Sequence, residues 1–168
     1  MEAPDLVAAT EAARGESLSV VLVEQPYRFA GRRSPAPAAQ LDVAWTTVLE
    51  ALRRDVLRGL PLVVGGRSLG ARVACRTAEA LGAAAVLCLA FPLEPPARGD
   101  KPRQSRLAEL DAVTVPTLVV QGERDPFGIP PPGPSREVVT VPGDHGLKAD
   151  VEGVATAVGS WLSGLRLA

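Results

Sequence analysis

Three residues of this chain are of the types that perform nucleophilic catalysis: a serine, an aspartate and a histidine, in that order. Ser68 lies in the run Gly66-Arg67-Ser68-Leu69-Gly70, after an apolar segment and before a segment with helical spacing. In a sharp strand-to-helix turn, small flanking residues allow close backbone approach and the serine projects above the sheet. The N–H of Leu69 would then point at a developing oxyanion. The same run also fits a plain turn with a capping serine.

A serine hydroxyl is a weak nucleophile at neutral pH, so it needs a base, and the base needs an orienting carboxylate. His145 is the one histidine of the chain and follows its last apolar run, while Asp125 follows the run before it. Glu123 and Asp144 are alternative carboxylates. Asp144 adjoins His145, so its side chain would tend to point elsewhere, and Glu123 suits a loop contact. We therefore predict Ser68 as nucleophile, His145 as base and Asp125 as acid.

The elements that must position these residues alternate between short apolar runs and longer amphipathic ones. The apolar runs are almost continuous, which is typical of parallel strands buried on both faces; they are Leu18–Glu24, Pro61–Gly65, Ala84–Phe91, Thr117–Gln121 and Glu137–Val141. The helical runs are Pro4–Ala13, Ala38–Leu57, Leu69–Leu81, Ser105–Leu110 and Asp150–Leu165. This order predicts one α/β domain over residues 1–168, a mostly parallel sheet flanked by helices.

Two irregular segments interrupt the alternation, Arg28–Pro37 and Pro92–Gln104. The second follows a predicted strand, and ligands of open α/β sheets bind beyond the carboxyl ends of strands. We therefore expect the second segment to border the ligand site.

Composition excludes several classes of function. With 18 basic and 19 acidic residues, the chain has no electrostatic footprint for nucleic acid. It has no apolar stretch of the roughly 18–20 residues that span a membrane, and its N-terminus lacks the pattern of a secretory signal. A single histidine predicts no metal site, and Gly65–Gly70 lacks the lysine of a phosphate loop, so we expect no cofactor.

Two cysteines, Cys75 and Cys88, lie in apolar surroundings, which indicates reduced core residues and a cytoplasmic location. Arginine strongly outnumbers lysine, and alanine, glycine and proline are abundant. That bias indicates a GC-rich bacterial genome.

Four motifs in order, VVGGRSLGARVA, CLAFPLEPP, LVVQGERDPFG and VPGDHGLK, resemble the small α/β-hydrolases related to dienelactone hydrolase. The branch is the one with a testis-expressed human protein and the third subunit of the non-specific-lethal acetyltransferase complex. The resemblance runs from about Ser19 to the C-terminus and implies the same three catalytic residues. It also implies that Phe91, Pro92 and Phe127 line the substrate pocket, to which we add Arg67.

The chain departs from this pattern at its start. Such relatives begin with a strand and a glycine-rich HGxG loop that supplies a second oxyanion donor, whereas this sequence starts at the first helix. We expect one of three arrangements: a start further upstream, a sheet that closes up so that its first two strands pair, or a strand from another chain.

The sequence therefore predicts a hydrolase that attacks a small ester, thioester or lactone through an acyl-enzyme. The pocket walls are expected to be small and apolar. The expected partner is a small-molecule substrate, and a homo-oligomer is left open. The rival interpretation is a non-catalytic interaction protein that keeps the three residues as relics.

Overall fold

The computed structural model describes residues 3–95 and 104–167. Six helices and four strands lie in this part of the chain, in the order α1 (Pro4–Gly15), α2 (Pro26–Phe29), α3 (Ala38–Arg54), β1 (Val63–Arg67), α4 (Leu69–Thr77), β2 (Ala85–Leu89), α5 (Leu107–Asp111), β3 (Thr117–Gly122), β4 (Arg136–Val141) and α6 (Val151–Gly164).

The four strands form one parallel sheet in the order β1-β2-β3-β4. Its two faces carry separate apolar clusters, because alternate side chains of a strand point to opposite sides. On β3, Val119 packs against the side of α3, α4 and α5, whereas Leu118 and Val120 pack against the side of α1 and α6. Burial on both faces explains the continuous apolar runs, and it confirms the predicted α/β class and the last four predicted strands.

The first predicted strand is wrong. Residues 18–25 have no regular secondary structure, and Val20, Val21 and Leu22 are exposed. A strand is stable only when a neighbouring strand pairs with its backbone groups, and among the described residues β1 pairs with β2 alone. Apolar side chains in this segment therefore do not produce a strand. The expected closure of the sheet, in which the first two predicted strands pair directly, is not present.

The predicted helices differ from the observed ones mainly at their ends. The helix after Ser68 stops at Thr77 and continues as turns, and the short helix α2 lies where the first irregular segment was expected to begin. Most of the second irregular segment, Pro92–Gln104, lies outside the described residues. Among the residues described, no helix has both the length and the apolar character to cross a membrane.

Cys75 on α4 and Cys88 on β2 are both buried and not joined by a disulfide, with their Sγ atoms 3.5 Å apart. The hydrogen bond with Cys75, together with burial, raises the pKa of the Cys88 thiol well above its ordinary value. A raised pKa lowers the thiolate fraction, so this thiol has low reactivity. Both cysteines are reduced core residues, as the sequence predicts.

The turn from β1 into α4 is strained at its apex. Ser68 has φ 53° and ψ −112°, a conformation that residues with a side chain rarely adopt. Its N–H donates to the Leu89 carbonyl at 2.9 Å, which ties the apex to β2. A Cβ at Gly66 would lie 2.6 Å from the Gly70 carbonyl carbon, whereas one at Gly70 would meet nothing within 4 Å. The close approach therefore requires a glycine at 66 and not at 70, contrary to the expected need for both.

This asymmetry makes a paired stability prediction. Gly66→Ala is expected to destabilise the protein by about 1–3 kcal/mol, because the added methyl group must push the backbone of α4 away from β1. Gly70→Ala is expected to be neutral or slightly stabilising, since alanine is favoured over glycine within a helix. Urea unfolding of both variants checks this, and equal losses would contradict the packing of the turn.

Candidate active site

One hydrogen-bonded chain joins the three side chains that the sequence singles out. Ser68 Oγ lies 2.9 Å from His145 Nε2, and His145 Nδ1 lies 2.8 Å from Asp125 Oδ2. The Asp125 side chain is fully buried and the His145 side chain is 21% exposed. The structure thus brings together residues separated by 77 and 20 positions in the sequence.

The parallel sheet produces this meeting because the carboxyl ends of its strands lie at one edge. Ser68 follows β1, Asp125 lies on the turn after β3, and His145 lies on the loop after β4. The last two segments touch, since the Arg124 N–H donates to the Gly143 carbonyl at 2.9 Å. Gly122 permits this approach, because a Cβ there would collide with the Asp144 carbonyl.

The two alternative carboxylates lie elsewhere. Glu123 is exposed, and Asp144, also exposed, accepts a hydrogen bond from the Gly146 N–H at Oδ1. Asp125 is therefore the carboxylate that the fold places on the histidine.

The Asp125 carboxylate accepts two further hydrogen bonds. Its Oδ1 accepts from the Phe127 N–H at 2.9 Å, and its Oδ2 accepts from Gln121 Nε2 at 2.7 Å. Gln121 was not among the predicted site residues. Its sequence signal is a polar amide at the end of the buried run Thr117–Gln121, where a side-chain amide must find hydrogen-bond partners.

A hydrogen bond from Arg67 holds the main chain of His145 in place. Arg67 Nη2 donates to the His145 carbonyl at 2.9 Å, and Arg67 Nε lies 2.7 Å from Asp5 Oδ2 on α1. The second contact is an ion pair without hydrogen-bond geometry, since neither Asp5 oxygen nor Arg67 Nε gains a hydrogen bond. Asp5 is fully buried and Arg67 is 28% exposed. Asp5 carries no pattern in the sequence that predicts this contact.

This pair predicts a non-additive effect on stability. Arg67→Met leaves the buried Asp5 carboxylate without its counter-charge and is expected to cost about 2 kcal/mol, less than a fully buried pair because Arg67 is partly exposed. The double variant Arg67→Met/Asp5→Ala, which lacks both charges, is expected to lose less than half as much unfolding free energy as Arg67→Met alone. A double-mutant cycle by urea unfolding measures the coupling, and additive losses would contradict it.

An open cavity of ≈ 350 Å³ adjoins the histidine; it is lined by Arg67, Pro126, Asp144, His145, Gly146 and Lys148. Arg67 is one of the lining residues. Phe91 is not, because its side chain is fully buried in the apolar core.

The other two predicted pocket residues are also placed. Pro92 is buried, and its carbonyl accepts a hydrogen bond from Arg106 Nη1 at 2.8 Å. The Phe127 ring packs against the His145 ring, with centroids 4.5 Å apart and planes tilted by 46°. Phe127 therefore supports the imidazole directly.

The hydrogen-bond network determines how the imidazole can act. Both Asp125 oxygens accept other hydrogen bonds, so the assignment that fits the network puts the proton on Nδ1 and leaves the Nε2 lone pair facing the Ser68 hydroxyl. The Leu69 N–H lies in the first turn of α4, where backbone donors have no intrahelical acceptor. In residues 3–95 and 104–167, no group of three or more histidine, cysteine or acidic side chains is placed to hold a metal ion.

A parallel sheet with a strained serine turn and a histidine loop at its carboxyl edge defines the class of α/β-hydrolases. The model of the "Alpha/beta hydrolase domain" family matches residues 1–152, and the chain belongs to this family. No curated protein sequence matches it at a significant level.

Solved structures share the fold. A protein of Xanthomonas campestris pv. campestris assigned to the α/β superfamily of hydrolases is 19% identical, with a TM-score of 0.66, over 96% of this chain and 91% of that one. A lidless α/β serine hydrolase of X. campestris is 18% identical (TM-score 0.68; 97% and 74%), and a serine hydrolase homologue of Coxiella burnetii is 14% identical (TM-score 0.65; 95% and 76%).

Proposed function

We propose that this protein is a serine hydrolase in which Ser68 is the nucleophile, His145 the general base and Asp125 the orienting acid. One observation carries the proposal: the Ser68 hydroxyl lies 2.9 Å from an imidazole nitrogen whose partner nitrogen contacts a fully buried carboxylate. A plain turn with a capping serine would not need this series of hydrogen bonds, and the Ser68 side chain does not cap α4.

In the proposed reaction, His145 Nε2 takes the Ser68 proton as Oγ attacks the substrate carbonyl, and the Leu69 N–H stabilises the oxyanion. The protonated imidazole, held by Asp125, gives its proton to the leaving group. Water then attacks the acyl-enzyme, with His145 again as base, and Ser68 is regenerated. These residues need no cofactor.

The proposed substrates are small esters, thioesters or lactones. The motif resemblance to the dienelactone-hydrolase group supports this class, and the open cavity beside His145 is accessible from solvent. The two reduced cysteines support the cytoplasmic location that we propose with it.

A substrate panel tests the proposal. We expect turnover of p-nitrophenyl acetate and of a short thioester, with kcat/KM falling as the acyl chain lengthens. No turnover of any ester, thioester or lactone above the rate of Ser68→Ala would favour the non-catalytic interaction protein instead.

A further inference from the structure

Gln121 lies at the end of β3 with its side chain fully buried between the strand ends. Its Nε2 is within hydrogen-bond distance of three oxygens: Asp125 Oδ2 at 2.7 Å, the Gly128 carbonyl at 2.9 Å and the Phe91 carbonyl at 3.1 Å. Its own oxygen, Oε1, is buried without a hydrogen-bond partner. The amide is therefore used for its donors alone.

The orientation of this amide follows from its surroundings. Exchanging its nitrogen and oxygen would place an acceptor against the three oxygens, one of them a carboxylate, so only the observed orientation makes hydrogen bonds. Leaving Oε1 unpaired in the interior costs free energy. This cost arises because the observed orientation directs the Nε2 donors at the Asp125 carboxylate.

We propose that Gln121 is a positioning residue for hydrolysis, and this inference rests on the proposed function. It holds Asp125 Oδ2 on the line to His145 Nδ1. That oxygen accepts from Gln121 and His145 at 2.7 and 2.8 Å, while the Phe127 N–H holds the other oxygen. Three donors thus fix the plane of the carboxylate. Gln121 itself is not among the residues that line the cavity beside His145.

The expected consequence is a loss of kcat rather than of substrate binding. Without the Gln121 donor, the Asp125 carboxylate can rotate about the Phe127 contact, and the imidazole loses its fixed direction towards Ser68. Removing one hydrogen bond to a charged group corresponds to a drop in kcat of about 10- to 100-fold. KM should change little, since the cavity walls are unaltered.

The experiment compares Gln121→Met, which keeps the length of the side chain without its donors, and Gln121→Asn, which shortens the reach of the amide. Thr117→Val is the matched control, a buried polar residue at the other end of the same strand. The readouts are kcat, KM and the NMR signal of the Nδ1 proton, which is unambiguous because the chain has one histidine. We expect both Gln121 variants to lower kcat and to shift or broaden this signal, and Thr117→Val to do neither.

A folded Gln121→Met with wild-type kcat and an unchanged Nδ1 proton would overturn the role of Gln121, while leaving the hydrolase intact if Ser68→Ala is inactive. If the wild-type protein has no turnover, the proposed function fails, and the NMR signal still tests the contact. If neither variant folds, an NMR measurement on the wild-type protein tests the inference instead. The Gln121 amide protons should then show a nuclear Overhauser effect to the Nδ1 proton, and its absence would overturn the inference.

Discussion

Replacing Ser68 with alanine is expected to lower kcat for ester hydrolysis by about 10⁶-fold, the loss typical when a serine nucleophile is removed. The Ser68 hydroxyl is the proposed attacking group, since it lies 2.9 Å from His145 Nε2. Steady-state kinetics on p-nitrophenyl acetate measures the effect.

Ser17→Ala is the matched control for this variant. Ser17 also has a left-handed backbone, with φ 61°, but it is exposed and lies after α1, away from the sheet edge. The same chemical change on the same kind of backbone should leave kcat unaltered. Ser68→Ala should also unfold at the wild-type urea concentration, so that a loss of activity reflects the missing hydroxyl. Turnover in Ser68→Ala within tenfold of wild type would contradict the proposed nucleophile.

Asp125→Asn is expected to lower kcat by about 10⁴-fold while the fold persists. The carboxylate accepts at both oxygens, from the Phe127 N–H at Oδ1 and from Gln121 and His145 at Oδ2. The amide has one oxygen, so in either orientation at least one of these donors faces an NH₂ group. The neutral amide also no longer stabilises the imidazolium that forms when His145 takes the proton of Ser68.

The two neighbouring carboxylates supply the controls for Asp125→Asn. Glu123→Gln and Asp144→Asn make the same neutralising change within two and one residues of Asp125 and His145, on side chains that are exposed. Glu123→Gln, outside the cavity, is expected to change kcat less than about threefold, and Asp144→Asn, whose side chain lines the cavity, is expected to change it far less than Asp125→Asn. A large loss of kcat in Asp144→Asn together with a small one in Asp125→Asn would show that Asp144, and not Asp125, is the orienting acid.

The sequence predicts where the three site residues lie, because a parallel sheet brings the segments that follow its strands to one edge. Ser68, Asp125 and His145 each follow a buried apolar run, and the ends of parallel strands meet at one edge of a sheet. Neither the side-chain contacts nor the pairing of Asp125 with His145 follows from spacing alone, since Glu123 and Asp144 satisfy the same spacing.

The first predicted strand shows the limit of apolar patterns. Residues 18–24 have the composition of a buried strand, yet strand formation depends on a backbone partner that composition does not report. The same limit applies to the buried contacts of Gln121 and Asp5. Gln121 ends an apolar run, which signals that a partner must exist, whereas Asp5 has no such signal; in both cases the identity of the partner depends on distant parts of the chain.

Covalent labelling by a fluorophosphonate tests the central proposal most directly, because this probe reacts with an activated serine and needs no knowledge of the substrate. After incubation of the folded protein, intact-mass and peptide mass spectrometry should find one adduct, located on Ser68 and absent from Ser68→Ala. An unmodified protein, or an adduct on a different serine, would contradict the proposal that His145 activates Ser68.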